Sequence, residues 1–239
     1  MIPVSLVTPY YDDPHRLEDA LYNECTFTRF DEYILVDDAS PQHPALPIVE
    51  SYLSDYPEHS DKLTLFRVKK DYGFNAHGAR NLAMKNIRNE WACLIDIDQQ
   101  LSHEFCDDLF AKIHDCTDDQ FVMCDLFGGD PANIFALRSS HFWQAGGYDE
   151  ELRGWHMGDK IMRDRLALFA EGVLTDVRLP TNRKGRRIIQ DWNVRHTEYP
   201  DDETVVQRPQ TFLTDTLNMI FHRSPEDIPH VLFDYERLV

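Results

Sequence analysis

The sequence predicts an α/β fold built around a mixed, mainly parallel central sheet. In the first half of its 239 residues, short runs rich in β-branched side chains alternate with longer polar stretches of helical pattern. This alternation is typical of strands joined by crossover helices. A hydrophobic content of 42% is sufficient for a buried core, and no repeat or linker divides the chain. We therefore expect one domain.

The elements follow from the pattern in chain order. Strands are expected in the first half at residues 4–8, 33–36, 63–68 and 91–97, and helices between them at 15–25, 46–53 and 76–87. The second half is expected to contain strands at 121–127, 133–137 and 173–179, helices at 139–145, 156–170 and 211–222, and a loop at 180–210. Ligands of such sheets bind outside the carboxyl ends of the strands, so the polar residues there are the first candidates for a site.

Composition excludes several classes of protein. The formal net charge of −18 opposes non-specific binding to nucleic acid or to anionic membranes. No apolar run approaches the roughly 18 residues needed to span a bilayer, and the first residues do not resemble a signal peptide. We expect a soluble, cytoplasmic protein. The five cysteines form no C-x-x-C pair, which favours reduced thiols over a disulfide framework.

Two carboxylates follow the apolar run at residues 93–95. Asp96 and Asp98 are spaced i and i+2, which places both on one face if the strand continues to residue 97. Neighbouring carboxylates repel each other unless a cation neutralises them, and their hard oxygens suit Mn²⁺ or Mg²⁺. The pattern alone also allows a solvated acidic turn. The basic run at residues 183–187 similarly allows either a diphosphate- or acceptor-binding loop or a solvated turn.

The order and spacing of three further segments resemble the family 2-like glycosyltransferases with the GT-A fold. The matching segments are residues 4–11, 33–40 with the sequence V-D-D-A-S at its end, and 73–83 leading into 91–98. The resemblance covers about residues 2–170 and implies a Rossmann-like single domain over residues 1–239. Residues 1–100 would be the nucleotide-binding half and 101–210 the acceptor-side half, followed by a helical tail at 211–239.

This resemblance implies roles for the residues that follow the strands. Asp38 would accept the uracil N3–H, and Arg80 would hold the ribose or the diphosphate. Asp98 would bind the metal, while Asp96 would bind the metal or the ribose. Thr8, Pro9 and Tyr10 would border the base, with an aromatic ring available for stacking. From the pattern alone, a turn cap at Asp38 and a solvated helix position at Arg80 stay open.

A second resemblance concerns the acceptor side. Residues 135–138, 146–150 and 154–159 are similar to a segment of galactosyltransferases and polypeptide N-acetylgalactosaminyltransferases. It implies that Asp159 is the general base and that sugar and acceptor contact Gly147, Trp155 and His156. The chain departs from that pattern at His156 and at Gly158, which stands where those enzymes have glutamate. Alternatively, Asp159 could only stabilise the N-terminus of its helix, and Trp155 could only pack in the core.

The expected activity is a metal-dependent, inverting and non-processive transfer from a UDP-sugar to an acceptor hydroxyl. Residues 193–197 resemble the segment that supplies a third metal ligand, which would be His196. The Q-x-x-R-W motif of polymerising members is absent. A sugar nucleotidyltransferase is a rival, although residues 8–13 lack its glycine-rich basic loop. A GT-A domain that binds sugar nucleotide without turnover is another. The acceptor stays open, a modified nucleic-acid base included.

Overall fold

A mixed sheet of eight strands runs through the described part of the chain. A computed structural model describes residues 2–71, 73–124, 134–150, 157–177 and 234–239. The strands are β1 (Val4–Tyr10), β2 (Glu32–Asp37), β3 (Leu63–Val68), β4 (Trp91–Leu94), β5 (Gln120–Met123), β6 (Phe135–Arg138), β7 (Glu171–Leu174) and β8 (Tyr235–Arg237). Their order across the sheet is β7-β5-β6-β4-β1-β2-β3-β8.

The pairing of the strands confirms the predicted mixed, mainly parallel sheet. β1 lies between β2 and β4 and is parallel to both, and β2 is parallel to β3. β6 is antiparallel to β4 and β5, while β5 is parallel to β7. β8 closes the other edge, antiparallel to β3. The carboxyl ends of β1, β2 and β4 therefore meet at one edge of the sheet.

Helices cover both faces of this sheet. They are α1 (Pro14–Leu21), α2 (Glu24–Thr28), α3 (Ala45–Asp55), α4 (Ala76–Asn86), α5 (His103–Asp115), α6 (Ser139–Gln144) and α7 (Met157–Leu166), with a 3-10 turn at Pro57–His59. One core forms between the sheet and α1, α2, α3 and α5. A second core forms against α4, α6 and α7. Alternation along β2 supplies both cores, because Tyr33 and Leu35 face the first and Ile34 and Val36 the second.

Polar caps fix where the helices near the site begin. Asn75 accepts a hydrogen bond of 3.0 Å from the backbone N–H of Gly78 and starts α4. Ser102 accepts one of 3.1 Å from the N–H of Phe105 and starts α5. Each cap satisfies an N–H group that has no partner within its helix. No helix within the described residues is both long enough and apolar enough to span a membrane.

Several elements differ from the sequence-based predictions. The single helix expected at 15–25 is two helices, because Asn23 caps α2 through the N–H of Cys25 at 2.9 Å. β4 ends at Leu94 rather than at residue 97, since the N–H of Gln99 closes a turn onto the carbonyl of Asp96 at 3.0 Å. Helix α5 was not predicted. The expected loop at 180–210 and helix at 211–222 lie outside the described residues.

The helical tail predicted for residues 211–239 is wrong at its end. Residues 235–237 form strand β8, in which Tyr235 pairs with Val68 and Arg237 with Phe66. The physical reason is the open edge of β3, whose backbone N–H and C=O groups need partners. A three-residue strand carries too little pattern to be recognised from sequence, because its stability comes from the edge that it covers.

Candidate active site

The turn after β2 contains two aspartates with different surroundings, Asp37 with a structural role and Asp38 as a candidate nucleotide-binding residue. Asp37 is fully buried, and its two oxygens accept hydrogen bonds from the N–H groups of Ser40 at 2.8 Å and Ala45 at 2.9 Å. Asp38 Oδ2 accepts a short hydrogen bond from the N–H of Asn75. Ala39, which follows Asp38, adopts a left-handed backbone conformation with a φ of 56°. Asp37 thus shapes the turn, while Asp38 joins it to the start of α4.

Hydrogen bonds join the turn after β1 to the turn after β2. Asp12 has a φ of 49°, and its Oδ1 accepts hydrogen bonds from the N–H groups of Gln42 at 3.0 Å and His43 at 2.8 Å. The N–H of Asp12 donates to Ser40 Oγ at 3.0 Å. The two turns therefore form one rigid rim at the carboxyl ends of β1 and β2.

The aromatic ring available at this rim belongs to Tyr11 and not to Tyr10. Tyr10 is fully buried in the first core, and its hydroxyl donates to the carbonyl of His43 at 2.6 Å. Thr8 and Pro9 are buried beside it in β1. Tyr11 is half-buried, lies 6.0 Å from the ring of Phe74, and donates to Asp71. Tyr10 is expected to border the base, but strand parity turns its ring into the core, which leaves Tyr11 as the aromatic ring near the surface.

Arg80 lies at the centre of the candidate site. Its side chain is only 2% exposed, which rules out the solvated helix position. Nη1 donates to Asp159 Oδ1 at 2.7 Å, and Nη2 forms a short hydrogen bond with Asp96 Oδ1. Burial alone would lower the pKa of Arg80, but Asp159 and Asp96 outweigh it and raise the pKa overall. A permanent positive charge thus joins the acidic turn after β4 to helix α7.

Tyr148 is a second donor to the same carboxylate. Its hydroxyl donates to Asp159 Oδ1 at 2.7 Å, and its ring lies 5.3 Å from the guanidinium carbon of Arg80. Burial, followed by the nearby negative charge of Asp159, raises the pKa of Tyr148 well above its ordinary value. The phenol therefore stays protonated and donates to Asp159 throughout the neutral range.

Asn81 holds the segment that carries Tyr148. Its Oδ1 accepts from the N–H of Tyr148 at 2.9 Å, and its Nδ2 donates to the carbonyl of Tyr148 and to Glu150 Oε1, both at 2.8 Å. Gly147, expected to contact sugar or acceptor, is buried with a φ of 62° and donates from its N–H to the carbonyl of Phe142 at 2.9 Å. Its carbonyl accepts from Arg165 at 3.3 Å. In this structure Gly147 shapes the turn before Tyr148.

The two carboxylates expected to bind a cation lie in the turn after β4 and not on a strand face. The side chain of Asp96 is 34% exposed, and Asp98 is half-buried with Gln99 Nε2 donating to its Oδ1 at 3.2 Å. The described residues hold no group of three or more His, Cys, Asp or Glu side chains arranged for a metal ion. Two hard carboxylates fit part of a Mn²⁺ or Mg²⁺ ligand set, which needs further oxygen or nitrogen donors.

Several expected site residues cannot be compared with the structure. Trp155, His156 and His196 lie outside the described residues. Sequence reasoning in turn missed Asn81, Tyr148 and Tyr11 as parts of the site. Tyr148 had one usable signal, because it directly follows the paired glycines that turn the chain. Asn81 and Tyr11 stand beside predicted site residues, but nothing in their local pattern distinguishes them.

Solved structures of glycosyltransferases share this fold. The structure of residues 1–349 of S. aureus TarS is similar with a TM-score of 0.60 and 18% identity, over 75% of this chain and 60% of that one. A mannosyltransferase from Pyrobaculum calidifontis, in complex with GDP-Man and Mn²⁺, is similar with a TM-score of 0.63 and 18% identity. That match covers 82% of this chain and 61% of the mannosyltransferase. These similarities place the fold of this chain with the GT-A fold of those enzymes.

The family follows from the sequence profile of glycosyl transferase family 2, which matches residues 5–177. This match spans most of the chain, and the chain belongs to glycosyl transferase family 2.

Curated relatives give a different similarity. The chain is 34% identical over 103 residues to the mitochondrial single-stranded DNA-binding protein of Rattus norvegicus, which is 42% of this chain and 64% of that protein. It is 31% identical over 108 residues to the protein of the same name from Oryctolagus cuniculus, which is 44% of this chain and 70% of that protein. The family profile spans far more of the chain and agrees with the observed sheet, so fold and family follow the profile.

Proposed function

We propose that this glycosyltransferase moves a sugar from a nucleotide-diphosphate donor to an acceptor hydroxyl, with inversion and with the help of a divalent cation. A UDP-sugar is the favoured donor. The observation that carries the proposal is the shared guanidinium of Arg80, because Asp96 and Asp159 both accept hydrogen bonds from it. One carboxylate adjoins the expected diphosphate site, and the other is the candidate base.

The hydrogen bonding of Asp159 supports its proposed role as the base. The hydrogen bonds from Arg80 and Tyr148 both end on its Oδ1, so Oδ2 is the oxygen proposed to receive the acceptor proton. As that proton leaves, the acceptor oxygen forms a bond to the anomeric carbon. The bond between the anomeric carbon and the diphosphate oxygen breaks, and its electron pair stays on the departing nucleotide. No covalent enzyme intermediate is needed.

The cation would be held by Asp98 and Asp96, with His196 as a third ligand, and Mn²⁺ or Mg²⁺ fits these donors. When bound, it supplies positive charge that stabilises the leaving diphosphate. A mannosyltransferase of the same fold is known with GDP-Man and Mn²⁺, and TarS is known with UDP-GlcNAc at a TM-score of 0.57 and 19% identity. These complexes support a nucleotide-sugar donor without selecting the nucleotide.

The donor and acceptor sides are assigned to different parts of one domain spanning residues 1–239. The base would bind beside Asp38 and beside Thr8, Pro9 and Tyr11 at the end of β1. Arg80, which is buried, would position Asp96 and Asp159 rather than contact the ribose. The sugar and acceptor would lie beside Trp155, His156 and the turn at Gly147. A non-processive reaction is proposed, because the polymerising motif is absent from the sequence.

Nucleic-acid binding is the function that the names of the curated relatives suggest. Binding to single-stranded DNA depends largely on basic groups that neutralise phosphates. The formal net charge of this chain is −18, which repels a polyanion. Sugar transfer is therefore the function that we propose.

The decisive experiment combines a donor screen with one pair of variants on α7. UDP-, GDP- and CDP-sugars are tested for hydrolysis and transfer with Mn²⁺ and with EDTA. We expect activity with Mn²⁺ that EDTA removes, loss of at least about 10²-fold in Asp159→Asn, and no loss in the exposed control Asp164→Asn. Full turnover by Asp159→Asn would show that Asp159 is not the general base. Binding of UDP and Mn²⁺ by calorimetry without turnover would indicate a binding domain.

A further inference from the structure

His77 contacts the ring of Tyr148 and lies close to Gly158 in the first turn of α7. Its imidazole is 4% exposed and lies parallel to the Tyr148 ring, with 5.2 Å between the ring centroids and 7° between their planes. A Cβ atom built onto Gly158 would lie 2.0 Å from His77 Nε2 and 2.4 Å from Cε1. Real Cβ atoms do not approach other atoms this closely, so the imidazole fills the room that a side chain at 158 needs.

The position of this ring matters because of its neighbours. Gly158 precedes Asp159 on α7, and the hydroxyl of Tyr148 donates to Asp159 Oδ1. His77 and Arg80 are three residues apart on α4, which puts them on one face of that helix. One turn of α4 therefore contacts Asp159 directly through Arg80 and, through His77, packs against both Tyr148 and the residue before Asp159.

We propose that His77 is a positioning residue that acts as a spacer between Tyr148 and α7. The thickness of its ring sets the separation at which the Tyr148 hydroxyl and Arg80 Nη1 both reach Asp159 Oδ1. That separation in turn directs Oδ2 toward the acceptor. The inference rests on the proposed role of Asp159 as the base, and it adds that an imidazole at 77 and any side chain at 158 exclude each other.

The steric part is tested without reference to activity. Thermal unfolding is measured for Gly158→Ala, His77→Ala and the double variant. We expect Gly158→Ala to lower Tm by about 5 °C or more, because the added methyl group overlaps the imidazole. In the His77→Ala background the same change should cost little, since the methyl group enters vacated space. Equal losses of Tm for Gly158→Ala in both backgrounds would overturn the spacer.

The positioning part is tested by separating kcat from KM. His77→Ala should lower kcat by about 10²-fold, as misplacement of a reacting group by about 1 Å does, with donor KM changed by less than about 3-fold. His77→Phe keeps a flat ring of the same thickness and should recover at least about 10-fold of the lost kcat. His59→Ala is the control, because it removes an imidazole stacked at 4.3 Å on Phe27 of the first core, whereas α7 packs in the second core.

The two hypotheses fail in different ways. Full activity of Asp159→Asn would remove the base and with it the proposed reaction. If Asp159→Asn is inactive while His77→Ala keeps its full kcat, the proposed role of Asp159 as the base is retained and the proposed role of His77 as a spacer is overturned. A loss of kcat in His77→Ala that His77→Phe does not relieve would also overturn the spacer, because the thickness of the ring would then not be its function.

Discussion

Arg80 and Asp159 are 79 positions apart in the chain, and a hydrogen bond of 2.7 Å joins their side chains in the interior. Arg80 belongs to α4, within the region expected to bind the nucleotide, and Asp159 belongs to α7 on the acceptor side. Because the same guanidinium also contacts Asp96, one buried charge connects both sides of the proposed reaction. Stability and activity of this protein should therefore depend on the same few side chains.

Replacing Arg80 by Met should destabilise the fold strongly. Removing one partner of a buried ion pair leaves the other charge without compensation, which typically costs about 3–5 kcal/mol. Among the described residues, the buried carboxylate of Asp159 would keep Tyr148 and lose Arg80 as hydrogen-bond donors. The free energy of unfolding, measured by urea denaturation, should fall by that amount. Lys160→Met is the control, because Lys160 pairs with Asp164 on the surface and should cost less than about 1 kcal/mol. Equal effects of the two substitutions would contradict the prediction.

Asp98→Asn and Asp96→Asn should affect the protein differently. Both should weaken Mn²⁺ binding by at least about 10-fold, because each removes a proposed charged oxygen ligand. Asp96→Asn should in addition lower Tm in the absence of metal, since it removes a charge that pairs with the buried Arg80. Calorimetric titration with Mn²⁺ in the presence of UDP, together with thermal unfolding in EDTA, measures both effects. Unchanged Mn²⁺ binding in Asp98→Asn would remove it from the ligand set.

Tyr10 and Tyr11 should differ in a matched pair of variants. Tyr11→Ala removes the ring at the rim and should raise the Kd for UDP by about 2- to 10-fold, the range expected for one aromatic contact. Tyr10→Phe removes a hydroxyl that donates a partly buried hydrogen bond to the carbonyl of His43, which should cost about 1 kcal/mol of stability and leave UDP binding unchanged. If Tyr10→Phe weakens UDP binding and Tyr11→Ala leaves it unchanged, Tyr10 and not Tyr11 is the residue that contacts the base.

Stability should decline at alkaline pH. Burial raises the pKa of Tyr33 and Tyr148, a hydrogen bond with Cys124 and then burial raise the pKa of Cys93, and burial raises that of Cys106. The folded state therefore holds these protons more tightly than the unfolded state does. The free energy of unfolding has its full value below the unfolded pKa, about 8.5 for cysteine and 10 for tyrosine, and falls as pH rises above it.

Urea denaturation at pH 7, 9 and 10.5 under reducing conditions measures this decline. Above pH 10, each buried tyrosine should contribute a loss of up to about 1.4 kcal/mol per pH unit. Tyr33→Phe removes one such group, so its decline above pH 10 should be shallower by that amount. Parallel declines in the wild-type protein and in Tyr33→Phe would show that Tyr33 does not contribute.

Local pattern was sufficient for most of the fold. β3 spans the predicted residues 63–68, and α4 begins at the predicted Ala76, because strand alternation and the Asn75 cap are both short-range signals. Helix α5 was missed although Ser102 caps it and Phe105, Cys106, Leu109 and Ile113 are buried at helical spacing. β8 carries no comparable signal, since it has three residues and its partner β3 at Leu63–Val68 is distant in the sequence.

The site was predictable in its charged residues and not in their arrangement. Asp96, Arg80 and Asp159 were each selected from motif-bearing segments, and the structure joins them. Their mutual contacts depend on how α4 packs against α7, which no local pattern encodes. The same holds for Tyr148 and His77, whose importance arises from a ring thickness and from the absence of a side chain at Gly158.

The pairing of β8 with β3 has a consequence for biosynthesis. On a ribosome, β3 emerges long before residues 235–237, which later cover its outer edge. During that interval the backbone of β3 is a template on which another nascent chain can add a strand. Removal of residues 234–239 would make this temporary exposure permanent. Chaperone dependence and inclusion-body formation should therefore depend more on the integrity of residues 234–239 than on substitutions at Asp96, Asp98 or Asp159.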